Sequence, residues 1–373
     1  MIEWTAIAAR RARACAAMKR GGLDALLVTE KYNYWHLTGH LSREFDKKMR
    51  VLALVLPADG PATLVLPEHE IGAARRICPD DRLMTYVDVP FAPVLLADAL
   101  RESGLAAARI GAEYGADERL GIAIAQLDIA RASLPRLALV DAGDLFVRLR
   151  MIKQPEEIAA IREACRISLV AWSATLPQLK LGMNHAAVAA VLGAELCRAG
   201  HDFNTLGHVT VGAGPAGRDG YRRGDALWVD FGATHLGYQA DISRRAVFGP
   251  PSDAQRRQHA DAVAMLDAMI AAIRPGVRCS EISAIVDVML RERGYAPPGP
   301  RRIGHGLGLS AGEPPSLGPM DATILEAGMV VTPEPVFALP SGERVHVEET
   351  VIVTATGCEK LTTGAELLSV LPV

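Results

Sequence analysis

Two kinds of apolar pattern divide the chain. Through residues 1–150, short continuous apolar runs alternate with stretches of helical period. Leu23 to Thr29 (LDALLVT), Val51 to Leu56 (VLALVL) and Ala62 to Leu66 are apolar and bounded by Gly or Pro, which predicts buried strands. Ala92 to Glu102 has the period of a helix. Such alternation predicts a small α/β domain with a mixed sheet. The segment Leu149 to Ile158 marks a boundary. Pro155 suits the first turn of a helix, and Glu156 and Glu157 suit its positive end. That helix is expected to run to about Leu176, and a second, His185 to Arg198, to stop at Gly200. From Leu206 onward strand-like runs dominate: Ala226 to Phe231, Tyr238 to Phe248, Met329 to Phe337 and Val345 to Val353. Two helices, about 253–273 and 280–294, interrupt them. Strands with grouped helices predict an α+β domain over 151–373.

Composition adds exclusions. The chain has 373 residues, half of them apolar, with a net charge of -3. A nucleic-acid binder would show a basic stripe, and the short clusters Arg10 to Arg13 and Arg75 to Arg76 read as solvated helix faces. Met1 to Arg20 lacks the roughly 7–15-residue apolar core of a secretory signal. No apolar run approaches the ~20 residues needed to span a bilayer. Six cysteines lie scattered without a CxxC pair, which reads as reduced thiols. The expectation is a cytoplasmic protein with no nucleic-acid or membrane partner.

Two motifs invite a reading they do not sustain. The run Val209 to Gly217 (VTVGAGPAG) contains GxGxxG after a strand. A dinucleotide fingerprint needs a helix to begin at those glycines. Here Arg218-Asp219-Gly220 and Gly224 follow, so a glycine-rich turn is expected. His36 and His40 are four apart, but Thr38 and Gly39 between them make a poor helix, so a loop with ordinary histidines is expected.

The stronger signal is a set of acids inside apolar strands. Asp230 (VDFG) and Asp241 (ADIS) are each flanked by apolar residues, and a charge there is costly unless it is paired or binds a metal. The gap Gly232 to Gly237 suits a hairpin that would set the two carboxylates side by side. Glu334 (VVTPEPVF) and Glu348 (VHVEETVIV) repeat the anomaly. Between the pairs, the glycines of Gly304-His305-Gly306 allow close approach to an imidazole. Four carboxylates that converge repel one another unless cations intervene, and two divalent ions would neutralise them. An oxygen-rich set with one nitrogen suits Mn, Co, Fe or Zn.

On these residues the chain resembles the creatinase, aminopeptidase P and prolidase family of metallopeptidases, with the pita-bread fold. The carrying segments are the boundary LRMIKQPEEIAAIREA, DFG followed by Tyr238-x-x-Asp241-Ile242-x-Arg244, GHGLGL from Gly304, Thr332-Pro-Glu334-Pro335, and Val347-Glu348-Glu349-Thr350. The resemblance implies a creatinase-type N-terminal domain over 1–150 and a pita-bread metallohydrolase catalytic domain over 151–373. It implies two divalent metal ions per chain: Asp230 on one, His305 and Glu334 on the other, Asp241 and Glu348 bridging both. A bridging hydroxide would be the nucleophile, and Glu334, as the catalytic residue, would take and pass a proton. The substrate would be a small peptide with a Xaa-Pro bond, or a small amide. The family implies a homodimer in which the segment Tyr32 to Arg50, with His40 and Arg43, reaches a partner's active site.

The chain also departs from that pattern. The stretch Gly212 to Gly224 is shorter than in the family and lacks its histidine. Gly312 stands where a second histidine is usual, His346 where an arginine is usual, and Glu349 where an Asp is usual. The metal set is complete and the peptide-handling shell is altered. Arg218, Arg222, Arg301 and Arg302 are candidates to pair with a substrate carboxylate. The expectation is therefore a dinuclear hydrolase of a C–N bond. The alternatives are a specialised C–N or C–S bond-cleaving enzyme on the same scaffold, as creatinase and the dimethylsulfoniopropionate-cleaving members are, or a non-catalytic binding module.

Overall fold

Strands made almost wholly of apolar residues have to be covered on both faces, and the first unit is arranged around three of them. The structure is a computed structural model. It describes residues 2–47, 49–116, 118–202, 208–213, 219–296 and 301–373. The chain divides into two units, Met1–Arg150 and Met151–Val373. In the first, β1 (Ala25–Val28), β2 (Ala53–Pro57) and β3 (Thr63–Pro67) are buried throughout. With β4 (Arg82–Tyr86), β5 (Arg109–Ala112) and β6 (Ala138–Asp141) they form a six-stranded sheet in the order β4-β3-β2-β1-β5-β6. Pairing is antiparallel between β1 and β2 and between β2 and β3, and parallel elsewhere, so the sheet is mixed as expected. The helix Ala92–Glu102 buries Leu96, Ala99 and Leu100 in the core with Leu27, Val55 and Ile110.

The His36 region differs from the loop expected. A helix runs Lys31–Thr38, because the Glu30 carboxylate accepts the Tyr32 and Asn33 amides at 2.7 and 2.9 Å and caps its start. Gly39 ends it at φ 66. The cap comes from a residue type that is not among the strongest N-cap signals, which is why the pattern hid it.

In the second unit the helix Pro155–Thr175 begins at a capping box. The Glu157 carboxylate accepts the Gln154 amide at 2.9 Å, and its other oxygen accepts the Tyr238 hydroxyl at 2.9 Å. The helix His185–Ala199 is capped by the Asn184 side chain and closed by Gly200 at φ 107. Both helices pack on a four-stranded sheet, burying Ile167, Trp172, Val188 and Leu192 against Leu227, Val229, Phe231 and Ile242.

The strands of this unit begin with β7 (His208–Ala213), β8 (Ala226–Gly232), β9 (Thr234–His235), β10 (Tyr238–Gln239) and β11 (Ile242–Phe248). After the helices Asp253–Ala272 and Cys279–Glu292 come β12 (Gly304–Gly306), β13 (Glu313–Ser316), β14 (Val330–Pro333) and β15 (Val336–Ala338). Last are β16 (Arg344–His346), β17 (Val351–Val353), β18 (Cys358–Lys360) and β19 (Leu368–Leu371). One sheet has the order β19-β11-β8-β7 and another β13-β12-β14-β17-β18. Each two-stranded ribbon is inserted between two neighbouring strands of one sheet, β9-β10 between β8 and β11 and β15-β16 between β14 and β17. The β9-β10 turn has positive φ at both central residues, Leu236 (51) and Gly237 (82), as a tight hairpin with the right-handed strand twist needs.

Three runs expected as single strands are each two short strands. Tyr238 to Phe248 breaks at Asp241, Met329 to Phe337 at Glu334, and Val345 to Val353 around Glu348. At every break the chain leaves one sheet for another. An acid at such a corner need not take a place in a ladder, so its side chain is free to turn toward a common point.

Candidate metal centre

Alternation along β8 sets one wall of the site. Leu227, Val229 and Phe231 go to the helix-covered core, so Trp228 and Asp230 take the opposite face. On the paired strand β7, Thr210 is opposite Asp230, Gly212 opposite Trp228 and His208 opposite Gly232. The same parity therefore puts His208 and Asp230 on one face. Gly212 has to be glycine there: an added Cβ would lie 2.0 Å from the Trp228 ring. Gly232 is constrained likewise, since its Cβ would lie 1.6 Å from the Ala240 carbonyl oxygen.

Asp230, Asp241, His305, Glu334 and Glu348 come together in this unit. His305 sits on β12 between Thr332 of β14 and Ser316 of β13. Its Nε2 lies 3.6 Å from Asp241 Oδ2 and 3.9 Å from Glu334 Oε1. Asp241, His305 and Glu348 each offer a donor atom within 4.8 Å of the others, and all three are buried. Asp230, Glu348 and His346 form a second such group, and His208, Asp230 and Asp241 a third. The Asp241 backbone is held by Thr350, whose hydroxyl donates to its carbonyl at 2.7 Å. Arg244, buried, donates to the Glu348 carbonyl at 2.7 Å and to the Glu349 carboxylate at 2.9 Å, and so fixes the chain on both sides of the Glu348 side chain.

Charge is crowded in this pocket. Burial, and then repulsion from Asp241, Glu334 and Asp230, pushes the Glu348 carboxyl far above the usual carboxylate range. Burial raises Asp241 to about 6 against the pull of His208. Burial also works to raise Asp230, but the hydrogen bond from His208 and the nearby His346 carry it below its ordinary value. Burial disfavours a charged His208, yet Asp241 and Asp230 raise it to about 10. Neither Glu348 carboxylate oxygen has a hydrogen-bond partner among the described residues. Buried carboxylate oxygens without donors cost free energy that a cation recovers. The donor set, oxygen-rich with imidazole nitrogens, fits divalent metal ions.

His346 occupies the flank of Glu334, with Nε2 3.2 Å from Glu334 Oε2 and the ring edge-on to Trp228 at 5.4 Å between centroids. Arg302 is exposed, and its guanidinium lies over Gly312: a Cβ there would be 3.4 Å from Nη2. Arg301 donates to the Val336 carbonyl at 2.8 Å. Arg218 lies outside the described residues. In the first unit, His40 is buried, with Nδ1 3.0 Å from the Tyr34 hydroxyl and Nε2 2.8 Å from Glu70, so its ring is engaged within that unit. Arg43 is exposed on the turn Arg43–Asp46. Glu44, His69 and Glu70 also cluster there, but Lys47 and Arg50 reach Glu44 at 2.6 and 3.3 Å and supply the positive charge a metal would bring.

His208 was not among the residues that the sequence singled out. Its signal was the parity of His208-Val209-Thr210-Val211: with both valines turned to the core, the histidine shares a face with Asp230. The glycines that follow are the stronger local signal and predict a turn instead.

Comparison with known proteins agrees with this geometry. Residues 159–355 match the metallopeptidase family M24, and residues 10–152 match the Creatinase/Prolidase N-terminal domain. A protein named "Probable dipeptidase PepE" from Mycobacterium bovis is 31% identical, over 98% of this chain and 97% of its own length. An "Xaa-Pro dipeptidase" from Pyrococcus furiosus is 33% identical over 60% of this chain and 67% of its own. Among solved structures, dipeptidase PepE from Mycobacterium ulcerans superposes with a TM-score of 0.83 at 29% identity, each chain covered fully.

Proposed function

The chain belongs to metallopeptidase family M24, with an N-terminal domain of the creatinase/prolidase type, and from that membership and the site geometry we propose that it hydrolyses the peptide bond of dipeptides, Xaa-Pro dipeptides among them. The observation that carries this reading is the convergence of Asp230, Asp241, His305, Glu334 and Glu348, with neither Glu348 oxygen within hydrogen-bonding geometry of a donor among the described residues. Those five residues would hold two divalent ions drawn from Mn, Co, Zn or Fe, with Asp241 and Glu348 shared between them. When bound, such ions supply a water acidified toward neutrality and a positive charge that polarises a carbonyl.

The residues of the chain do the rest. Glu334 stands at the mouth of the set with one oxygen toward His305 and the other toward His346. A carboxylate so placed accepts a proton from the attacking water and delivers it to the leaving nitrogen. Trp228 packs beside His346 and fixes that ring. Arg302, above the bare backbone of Gly312, is a candidate to meet the carboxylate of a short substrate. The substrate class follows from the relatives named dipeptidase.

The test is a panel of Xaa-Pro and ordinary dipeptides offered to metal-loaded and chelator-stripped protein. Metal-dependent release of the two amino acids supports the proposal, and its absence across the panel sinks it. A second reading is a specialised non-peptide C–N or C–S cleavage. It is favoured by Gly312, which leaves no imidazole at that place and has a guanidinium over it instead. Turnover of small amides or sulfonium compounds, with no dipeptide cleaved, would select it. The homodimer follows from the family resemblance and is checked by mass in solution.

A further inference from the structure

We propose that His208 is a sixth metal ligand, its Nε2 completing the coordination of the ion held by Asp230 and Asp241. This rests on the two-metal reading above. Three observations carry it. First, Nε2 lies 3.1 Å from Asp230 Oδ1 and 2.7 Å from Asp241 Oδ1, so a single nitrogen faces both carboxylates that flank that ion. One donor atom from each of the three residues falls within 4.8 Å of the others. Second, the backbone is arranged for the approach. His208 is opposite Gly232 on the paired strand, and a Cβ on Gly232 would come 3.1 Å from His208 Cε1. Third, the other ring nitrogen, Nδ1, is buried and has no hydrogen-bond partner among the described residues. Among the described residues the carboxylates are thus the one set of acceptors that the ring addresses.

The arrangement has a chemical consequence. Without His208, one ion has carboxylate oxygens alone and the other has the imidazole of His305. With it, each ion has one nitrogen ligand. A nitrogen donor draws a site away from Mn and toward Co and Zn, following ligand softness and the Irving–Williams order. His208 therefore sets which metal the Asp230 side accepts.

The experiment uses the full chain as wild type, His208→Ala and His208→Gln, with folding of each checked by circular dichroism and thermal melting. Zn and Mn are titrated into chelator-stripped protein by calorimetry, stoichiometry is read by elemental analysis, and the visible absorption of the Co(II)-loaded forms is recorded. The expected result is two Zn ions per wild-type chain. In both variants one of the two is bound at least about 10-fold more weakly, the smallest loss that even an outer-shell partner brings, and one Co(II) band is altered. Mn affinity falls less than Zn affinity. Two Zn ions bound with wild-type affinity in the variants, with an unchanged Co(II) spectrum, overturn the assignment even if activity is lost. Fewer than two ions in the wild type overturn the two-metal reading itself. If only His208→Ala fails to fold, His208→Gln decides.

Discussion

His346 Nε2 lies 3.2 Å from Glu334 Oε2, so the acid proposed to move the proton is flanked by an imidazole where the family usually has an arginine. The ring is fixed by the Trp228 edge and by its strand, where His346 pairs with Val336. A partner of this kind orients the carboxylate without touching the scissile bond. His346→Ala is expected to lower kcat by about 10–100-fold, the range for groups that orient a metal-site residue, with a smaller change in KM. His346→Arg, which keeps a donor beside Glu334, recovers part of the loss. Steady-state kinetics on the best dipeptide of the panel decide the matter; full kcat in His346→Ala excludes the role.

Glu348 tests the cation requirement through stability. In chelator-stripped protein its ionisation is opposed by burial and then by repulsion from three neighbouring carboxylates. Glu348→Gln removes that repulsion and is expected to melt higher than wild type at pH 8. With a divalent ion at a hundred times its dissociation constant, wild type gains about 2.7 kcal/mol, and the variant gains far less. The ranking of the two proteins therefore reverses between chelator and metal. Parallel melting shifts in both would show that Glu348 holds no ion.

Gly212 tests how closely β7 lies against β8. The Cβ of Gly212→Ala would sit 2.0 Å from the Trp228 ring, which has to move or push the strands apart. Overpacking of this kind costs about 1–3 kcal/mol, read as a lower urea midpoint. Displacing the indole also loosens His346, so kcat should fall with it. A variant of unchanged midpoint and kcat would mean that the indole has another place to go.

The sequence carried the identity of the four acids and the imidazole better than it carried the strands that bear them. A carboxylate among valines is conspicuous because its burial is costly, so Asp230, Asp241, Glu334 and Glu348 stood out individually. The breaks at Asp241, Glu334 and Glu348 did not, because residues on both sides are apolar and a run of apolar residues looks continuous whether it stays in one sheet or crosses to another. Only long-range pairing, such as Val336 with His346 and Val351 with Lys360, separates the segments. The helices were legible from local chemistry: Pro155 with Glu157 marks a start, and Gly200 an end, that the structure places at those residues. His208 was hidden for the opposite reason. A histidine at the start of a strand costs little, and its meaning lies in the register with β8, which no local pattern encodes.

His259 predicts how the second unit responds to acid. Its ring is buried on the helix Asp253–Ala272, with Nε2 3.2 Å from the Glu366 carbonyl and no partner for Nδ1 among the described residues. Burial, with the nearby Arg245 charge in the same direction, lowers its pKa from the ordinary 6.5 to about 4. Between those two values the unfolded chain binds a proton that the folded chain refuses, so stability is lost as pH falls from 6.5 toward 4 and is fully present above 6.5. The shift corresponds to roughly 3 kcal/mol at its limit. His259→Gln keeps a donor for the Glu366 carbonyl and has nothing to protonate. It should be no more stable than wild type at pH 7 and should overtake it near pH 4.5. Urea midpoints measured across that range on chelator-stripped protein isolate the effect from the metal site, and equal slopes in the two proteins would assign the acid sensitivity elsewhere.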